Sequence, residues 1–399
     1  MTAVSQALFL VGGRGTRLGA LSANTPKPMQ EIAPGVRFLD VLLEHAARHG
    51  FTDIVLLAGH LGEQVEAAYH DRSIWQAKVR ILREPAPMGT GGALKLFADV
   101  LDPAFILSNG DSFFDFNLRA LTAAPLEGLA RLALRRVDDV SRYGSVVLAN
   151  DRVTAFIEKN PANTAAGLIN GGVYFLRRAI LDQLSAPCSL EVDVFPKLVA
   201  EGLVGGQTFD GYFLDIGLPE TLAQAKAETA ARRVKPAVVF DRDGVLNVDS
   251  GYTHKPEDLV WQPGAREAIR LLNDRGYYVI VATNQAGVAR GYYGEDAIPV
   301  FHAHMQNQLA EAGAHIDAFY HCPYHHDGKV ERYTVADHPD RKPNPGMLIR
   351  AFREWPVDKS RSFLIGDRGS DIEAARRAGI PGHVYEGGSL LELVEKLIG

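Results

Sequence analysis

Four consecutive apolar residues, Ala237-Val-Val-Phe240, run straight into Asp241-Arg-Asp243-Gly244, and this junction constrains the chain more than any other stretch. An apolar run without alternation marks a strand buried on both faces, as in a parallel sheet covered by helices. Ligands bind at the carboxyl ends of such strands, so the two aspartates face a crevice. One carboxylate can attack phosphorus, and a second two residues on can protonate the leaving oxygen and then deprotonate water. A divalent cation would offset the repulsion between these carboxylates and a phosphate. Taken alone, Asp-x-Asp-Gly reads equally well as an acidic turn.

Later segments weigh against the turn. Tyr278 to Ala282 lead into Thr283-Asn284-Gln285, a hydroxyl and amides suited to a phosphate oxygen. Arg341-Lys342-Pro343 supplies fixed cations, and Ser362 to Ile365 lead into Gly366-Asp367-Arg368-Gly369-Ser370-Asp371, another acidic cluster. Asp371 begins an expected helix, where it would cap the helix or assist a metal.

The amino-terminal half has its own pattern. Ala7 to Val11 is an expected strand, followed by Gly12, Gly13 and Gly15, which let backbone amides face an anion, and by Arg14 and Arg17, which can neutralise a polyphosphate. No Gly-Lys-Ser/Thr closes this loop, and Leu18 takes the third glycine place of the dinucleotide fingerprint. Lys27 stands between Pro26 and Pro28 in a rigid extended segment. Leu39, Leu42, Leu43, Ala46 and Ala47 follow helical spacing up to Gly50, which puts His45 and His49 on the solvated face. Glu84 to Ala93 reads as a second flexible loop, containing Gly89. Asp111 ends one strand and Asp215 follows a distant aromatic run; two separated carboxylates suit one nucleotide-bound Mg²⁺. Strands alternating with helices make the fold class α/β, with two doubly wound domains over 1–232 and 236–399.

Composition excludes other classes. With 42 basic against 48 acidic residues and no long basic run, nucleic acid is disfavoured as a partner. No segment approaches the roughly 18 apolar residues of a membrane helix. The amino terminus reads as a strand rather than a signal peptide, and two cysteines far apart suit a reducing, cytoplasmic setting.

Gly12-Gly-Arg-Gly-Thr-Arg-Leu18, Pro26-Lys27-Pro28, Gly89-Thr-Gly-Gly92, Asn109-Gly-Asp111, Glu158-Lys159 and Asn170-Gly-Gly-Val-Tyr174 together resemble the sugar-1-phosphate nucleotidyltransferases, nearest to the branch acting on heptose 1-phosphate with a guanine nucleotide. The resemblance implies that Arg17 and Lys27 bind the nucleoside triphosphate, with Gly89 near the base. It implies that Lys159 holds the sugar phosphate, Asn170 and Glu191 the sugar hydroxyls, and Asp111 with Asp215 the Mg²⁺. Asp241-Arg-Asp-Gly-Val-Leu-Asn247, Gly251-Tyr-Thr-His-Lys-Pro256, Thr283-Asn-Gln285 and Arg341-Lys-Pro-Asn-Pro-Gly-Met347 resemble the haloacid dehalogenase-like phosphatases, in the branch of heptose bisphosphate and histidinol phosphatases. This implies Asp241 as nucleophile, Asp243 as general acid/base, Thr283 and Lys342 on the phosphoryl group, Arg341 on the rest of the substrate, and Mg²⁺ on Asp241, Asp243 and Asp367. That branch often carries a zinc loop, of which only Cys322 is in register. Cys322, His325, His338 and Asp340 still offer zinc-ligand chemistry, but with three positions changed the loop is read as metal-free.

The joint expectation is a bifunctional enzyme that removes the 7-phosphate from heptose 1,7-bisphosphate and joins the 1-phosphate to a nucleotide from GTP. Another sugar or base, a histidinol-phosphate-like phosphatase, and one non-catalytic regulatory domain remain open alternatives.

Overall fold

The computed structural model describes residues 3–157, 160 and 162–399. The chain divides into two compact units, Val4–Arg232 and Arg233–Gly399. In the first, ten strands form one sheet in the order Ser145–Ala149, Arg152–Ile157, Val204–Thr208, Ala130–Val137, Gly167–Arg177, Ala104–Asn109, Gln6–Leu10, Asp53–Ala58, Ala77–Arg83, Ser73–Ile74. Gln6–Leu10 runs parallel to both of its neighbours, and Ala77–Arg83 continues the parallel series. Gly167–Arg177 then pairs antiparallel with Ala104–Asn109 and Ser73–Ile74 pairs antiparallel with Ala77–Arg83, so the expected parallel sheet is parallel only across its four strands from Ala104–Asn109 to Ala77–Arg83 and mixed beyond them. Ala7 and Phe9 face one core with Ile54 and Leu56, while Leu8 faces the other with Val55 and Leu57. Burial on both faces is why these strands read as unbroken apolar runs.

A short ribbon stands apart from the sheet. Ser112–Asp115 pairs antiparallel with Tyr212–Asp215, placing Ser112 opposite Asp215. It also overturns an expectation for the helix Phe38–Arg48 and its end: His45 and His49 are 8% and 0% exposed, not solvated. The His45 ring meets the edge of Phe113 at 5.4 Å and lies 3.8 Å from the Asp115 carboxylate. A strand delivered from elsewhere in the chain covers that helix face, which helical spacing alone cannot foresee.

The glycine-rich stretch after Met88 differs too. Gly89–Leu96 is a helix rather than the second half of a loop. The amides of Gly91 and Gly92 both donate to Cys188 O, at 3.0 and 3.2 Å, and a Cβ at Gly91 would come within 2.6 Å of Cys188 Sγ. Close backbone approach here outweighs the roughly 1 kcal/mol that each glycine costs a helix.

The second unit holds a five-stranded sheet in the order Ala318–Cys322, Tyr278–Asn284, Ala237–Phe240, Phe363–Gly366, Gly382–Val384, parallel throughout. The chain order reverses beside the first strand, so a crevice opens between the carboxyl ends of Ala237–Phe240 and Phe363–Gly366. Asp241 and Asp367 are the residues that follow these two strands.

Gly91→Val is expected to lower stability by about 1–3 kcal/mol, because the new side chain overpacks against Cys188. A thermal melt unchanged by this substitution would contradict the packing described.

Candidate active sites

In the first unit, a cleft of about 560 Å³ opens at the carboxyl ends of the parallel strands, lined by Gly13, Gly15, Arg17, Lys27, Asp111 and Asp215 among others. A second lobe of about 420 Å³ is lined by Gly12, Arg14, Glu84 and Gly89, and shares Leu10, Gly13 and Thr90 with the first. Gly15 adopts φ 61°, a left-handed conformation that suits glycine. Two carboxylates far apart in the sequence, Asp111 and Asp215, meet because the ribbon aligns their segments. Ile216 N donates to Asp111 O at 2.9 Å, and Ser112 Oγ reaches Asp215 Oδ2 at 3.3 Å. Lys27, 5% exposed, extends its ammonium to 2.6 Å from Asp111 Oδ2 and 3.9 Å from Asp215 Oδ1. Burial raises the Asp215 pKa and Asp111 adds to the rise, while Lys27, the Gly217 amide and Arg17 oppose it.

Across the cleft, Glu191 is fixed by three donors. Thr90 Oγ1 and Ser189 Oγ bind its Oε2 at 2.8 and 3.0 Å, and Tyr174 OH binds its Oε1 at 3.0 Å. Asn170 Nδ2 donates in turn to Tyr174 OH at 2.8 Å. Asn170 and Glu191 are thus joined through a buried tyrosine that sequence reasoning gave no role, and Thr90 couples the glycine-rich helix to the same network. Lys159, expected on the sugar phosphate, lies outside the described residues.

The second unit's crevice is more deeply buried. Lys342 Nζ lies 3.0 Å from Asp241 Oδ1 and 2.6 Å from Asp371 Oδ1. Burial alone would lower its pKa, but Asp241 and Asp371 reverse that and raise it. Burial pushes Asp241 up to about 7; Lys342 opposes the rise, and Asp371 and Asp243 add to it. Among the described residues, Asp241, Asp367 and Asp371 are the one group of three metal-type side chains with ligand atoms within 4.8 Å of one another. Asp367 Oδ1 is buried without a hydrogen-bond partner, the condition of an oxygen suited to a cation. Gly244, at φ 88°, keeps the space beside Asp367 open, since a Cβ there would collide with that carboxylate.

Asp243 does not join this group, contrary to expectation. Arg242, 0% exposed, grips it with Nε to Oδ1 at 3.1 Å and a terminal nitrogen to Oδ2 at 2.8 Å. Gln285 Nε2 and Asn247 Nδ2 complete the clamp at 2.8 and 3.0 Å. Asp371 meets the first of its two readings: its Oδ2 accepts the Arg368 amide at 3.0 Å as a helix cap, while its other oxygen faces Lys342 at 2.6 Å. Thr283 is buried and accepts from Gln285 Nε2 at 2.8 Å. Asn284 is a correction. It uses both ends of its amide on the Lys342 backbone, at 3.0 and 3.1 Å, and so holds the loop rather than facing a substrate. Arg341 donates to Tyr324 O at 3.0 Å.

The four zinc-type side chains do not converge. Cys322 Sγ is 4.0 Å from His338 Nδ1, which already accepts the Asp340 amide. His325 Nδ1 accepts the Asp327 amide, and Asp340 pairs with Arg350 at 2.9 Å. Burial pushes the Cys322 thiol up to about 11. Tyr324 stacks on His338 at 3.9 Å and ties the loop together.

Known proteins match the two units separately. The family model described as nucleotidyl transferase matches residues 6–232, and one described as HAD-hydrolase-like matches 340–392. The D-glycero-beta-D-manno-heptose-1,7-bisphosphate 7-phosphatase of Rhodopseudomonas palustris is 46% identical over 43% of this chain and 94% of its own length. The corresponding 7-phosphatase of Thermosynechococcus vestitus is 45% identical over 39% of this chain and 80% of its own. The crystal structure of HddC from Yersinia pseudotuberculosis is 30% identical, with a TM-score of 0.52, over 57% of this chain and all of its own. Its complex with GMP-PN gives 0.51 at the same identity and coverage.

Arg242→Met is expected to cost about 3 kcal/mol or more, because it leaves a largely buried carboxylate without its cation. Urea denaturation of the second unit's transition checks this, and an unchanged midpoint would mean that the clamp contributes nothing to stability.

Proposed function

We propose, from the premise that this chain belongs to the nucleotidyl transferase family in its amino-terminal part and to the HAD-like phosphatases in its carboxyl-terminal part, and is a bifunctional enzyme, that it makes a nucleotide-activated heptose in two consecutive steps. The second unit removes the 7-phosphate of D-glycero-D-manno-heptose 1,7-bisphosphate. The first then transfers GMP from GTP to the resulting 1-phosphate and releases pyrophosphate. The observation that carries this is the coexistence of two polar sites of different chemistry, one in each unit. The heptose is supported by the named phosphatase relatives, and the guanine base by the guanine nucleotide in the HddC complex.

In the phosphatase step, an Asp241 oxygen attacks phosphorus, the phosphorus–sugar oxygen bond breaks, and Asp243 gives its proton to the departing oxygen. Water then attacks the aspartyl-phosphate, passes a proton to Asp243, and frees Asp241 and inorganic phosphate. Arg242, Gln285 and Asn247 hold Asp243 where both proton transfers occur. Lys342 and Thr283 hold the phosphoryl oxygens, and Asn284 and Asp371 hold Lys342. Asp241 and Asp367, with Asp371 beside them, fit Mg²⁺, which would neutralise charge on the transferring group.

In the transferase step, the sugar phosphate attacks the α-phosphorus in line and pyrophosphate leaves. Little covalent chemistry falls to the protein, so positioning and charge neutralisation dominate. The amides of Gly12, Gly13 and Gly15 with Arg17 cradle the triphosphate, Lys27 neutralises the reacting phosphates, and Asn170 and Glu191 orient the sugar. Asp111 and Asp215 fit a second Mg²⁺, because two part-buried carboxylates share the Lys27 ammonium.

Mass spectrometry of a Mg²⁺ reaction containing heptose 1,7-bisphosphate and all four nucleoside triphosphates should show GDP-heptose. Unreacted bisphosphate would reject the phosphatase assignment, and free heptose 1-phosphate alone would reject the transferase assignment. Asp241→Asn is expected to cut phosphate release by roughly three orders of magnitude or more, while transfer to supplied heptose 1-phosphate persists. Asp111→Asn should do the reverse, lowering transfer by about a hundredfold. Loss of both activities in either folded variant would refute separate sites. Chelation by EDTA should abolish both activities, and excess Mg²⁺ should restore them; activity that persists in EDTA would remove the metal from the account.

A further inference from the structure

We infer that Tyr293 is a positioning residue for the phosphatase step, aiming the Gln285 amide that in turn sets the place of the proton-carrying Asp243 carboxyl; this rests on the phosphatase reading above. Gln285 follows the strand Tyr278–Asn284, and the one-turn helix Ala286–Ala289 leads away from it. The chain then reverses. The Tyr292 amide donates to Gly287 O at 2.9 Å, and Gly291 takes φ 73°, a conformation open to glycine. Tyr293 is thereby carried back over Gly287, where a Cβ would strike its ring. Its hydroxyl donates to Gln285 Oε1 at 2.7 Å. His254 stacks on the ring, with centroids 4.2 Å apart and planes 13° from parallel. Burial pushes the Tyr293 pKa up to about 12, with Arg242 opposing the rise and Asp243 adding to it, so the phenol stays a donor at neutral pH.

The other donor to Gln285 Oε1 is less well placed. One terminal nitrogen of Arg242 faces three acceptors, Thr253 O at 2.6 Å, Asp243 Oδ2 at 2.8 Å and Gln285 Oε1 at 3.1 Å. That nitrogen has two hydrogens for them. Gln285, the farthest, is served least, and Tyr293 supplies the main bond to its oxygen. With Oε1 so held, the amide nitrogen turns its two hydrogens to Asp243 Oδ2 and Thr283 Oγ1, each at 2.8 Å. An amide reversed end for end would set its oxygen against the Asp243 carboxylate. Tyr293 therefore acts on the proton transfer at one remove. A proton handed to the leaving oxygen matters most when that oxygen is basic: a nitrophenolate departs without one, whereas a phenolate or a sugar alkoxide gains far more from it. Displacing Asp243 thus penalises an ester according to its leaving group, while loosened packing slows every ester alike.

Tyr293→Phe keeps the ring over Gly287 and against His254 and removes only the donor. With the full-length chain in Mg²⁺, kcat/KM on phenyl phosphate and on heptose 1,7-bisphosphate should fall about tenfold, the loss expected for one hydrogen bond, and on p-nitrophenyl phosphate by about twofold or less. This ratio covers the steps up to departure of the leaving group, so the later attack of water does not enter it. KM for the bisphosphate should hold, because Tyr293 acts through Gln285 and not on the substrate. In a Gln285→Met background, Tyr293→Phe should lower the phenyl phosphate rate no further, since its route to Asp243 is already gone. Equal losses on the two aryl esters, or the same loss with and without Gln285, would overturn the assignment. A wild-type chain that hydrolyses the aryl esters but not the bisphosphate would reject the heptose reading alone, since the aryl pair still decides what Tyr293 does.

Discussion

The second unit depends on two buried cations placed among carboxylates. Asp241, Asp243, Asp367 and Asp371 crowd one crevice, with Lys342 inserted between Asp241 and Asp371 and Arg242 clamped on Asp243. Without them, like charges at this depth would neutralise by taking up protons, as the raised Asp241 already indicates. Two cations against four carboxylates leave an excess of negative charge, which is the environment that a divalent cation would offset. The same logic explains why Arg242 is wholly enclosed: an exposed arginine would be free to leave Asp243, whereas one packed over Phe301 at 4.5 Å and bonded to Thr253 O cannot.

The first unit solves a related problem with an open cleft. Its two carboxylates come from segments a hundred residues apart, and the four-residue ribbon pairs them in register. Lys27 reaches them from a proline-braced turn, and its near-complete burial fixes a side chain that would otherwise sample many rotamers. The cleft is lined by glycines on one side and by the Asn170, Tyr174 and Glu191 network on the other. This division suits a reaction in which both reacting groups belong to the substrates.

Much of the candidate chemistry was legible because strand ends carry it. Asp241, Asp111 and Asp367 each follow an apolar run, and a strand of that kind has only one end at which a ligand can meet it. Other readings failed where a distant segment intervened. His45 is buried because the Ser112–Asp115 strand lies against its helix, His49 lies beside the His45 ring and Arg119, and Asn284 turns to Lys342 because the Arg341 loop returns beside it. The helix at Gly89 exists because Cys188 approaches its glycines closely.

Local sequence determined the α/β class, the strands that bear acidic ends, and the first glycine loop. These follow from short-range periodicity and from backbone freedom, which a few neighbouring residues fix. Only the tertiary structure decided that Arg242, Gln285 and Asn247 grip Asp243, that Asp371 rather than Asp243 stands with Asp241 and Asp367, and that Glu84 faces a lobe beside Gly12. Which charge meets which, and which is enclosed, depends on segments brought together across the fold, where burial multiplies the energy of every such meeting.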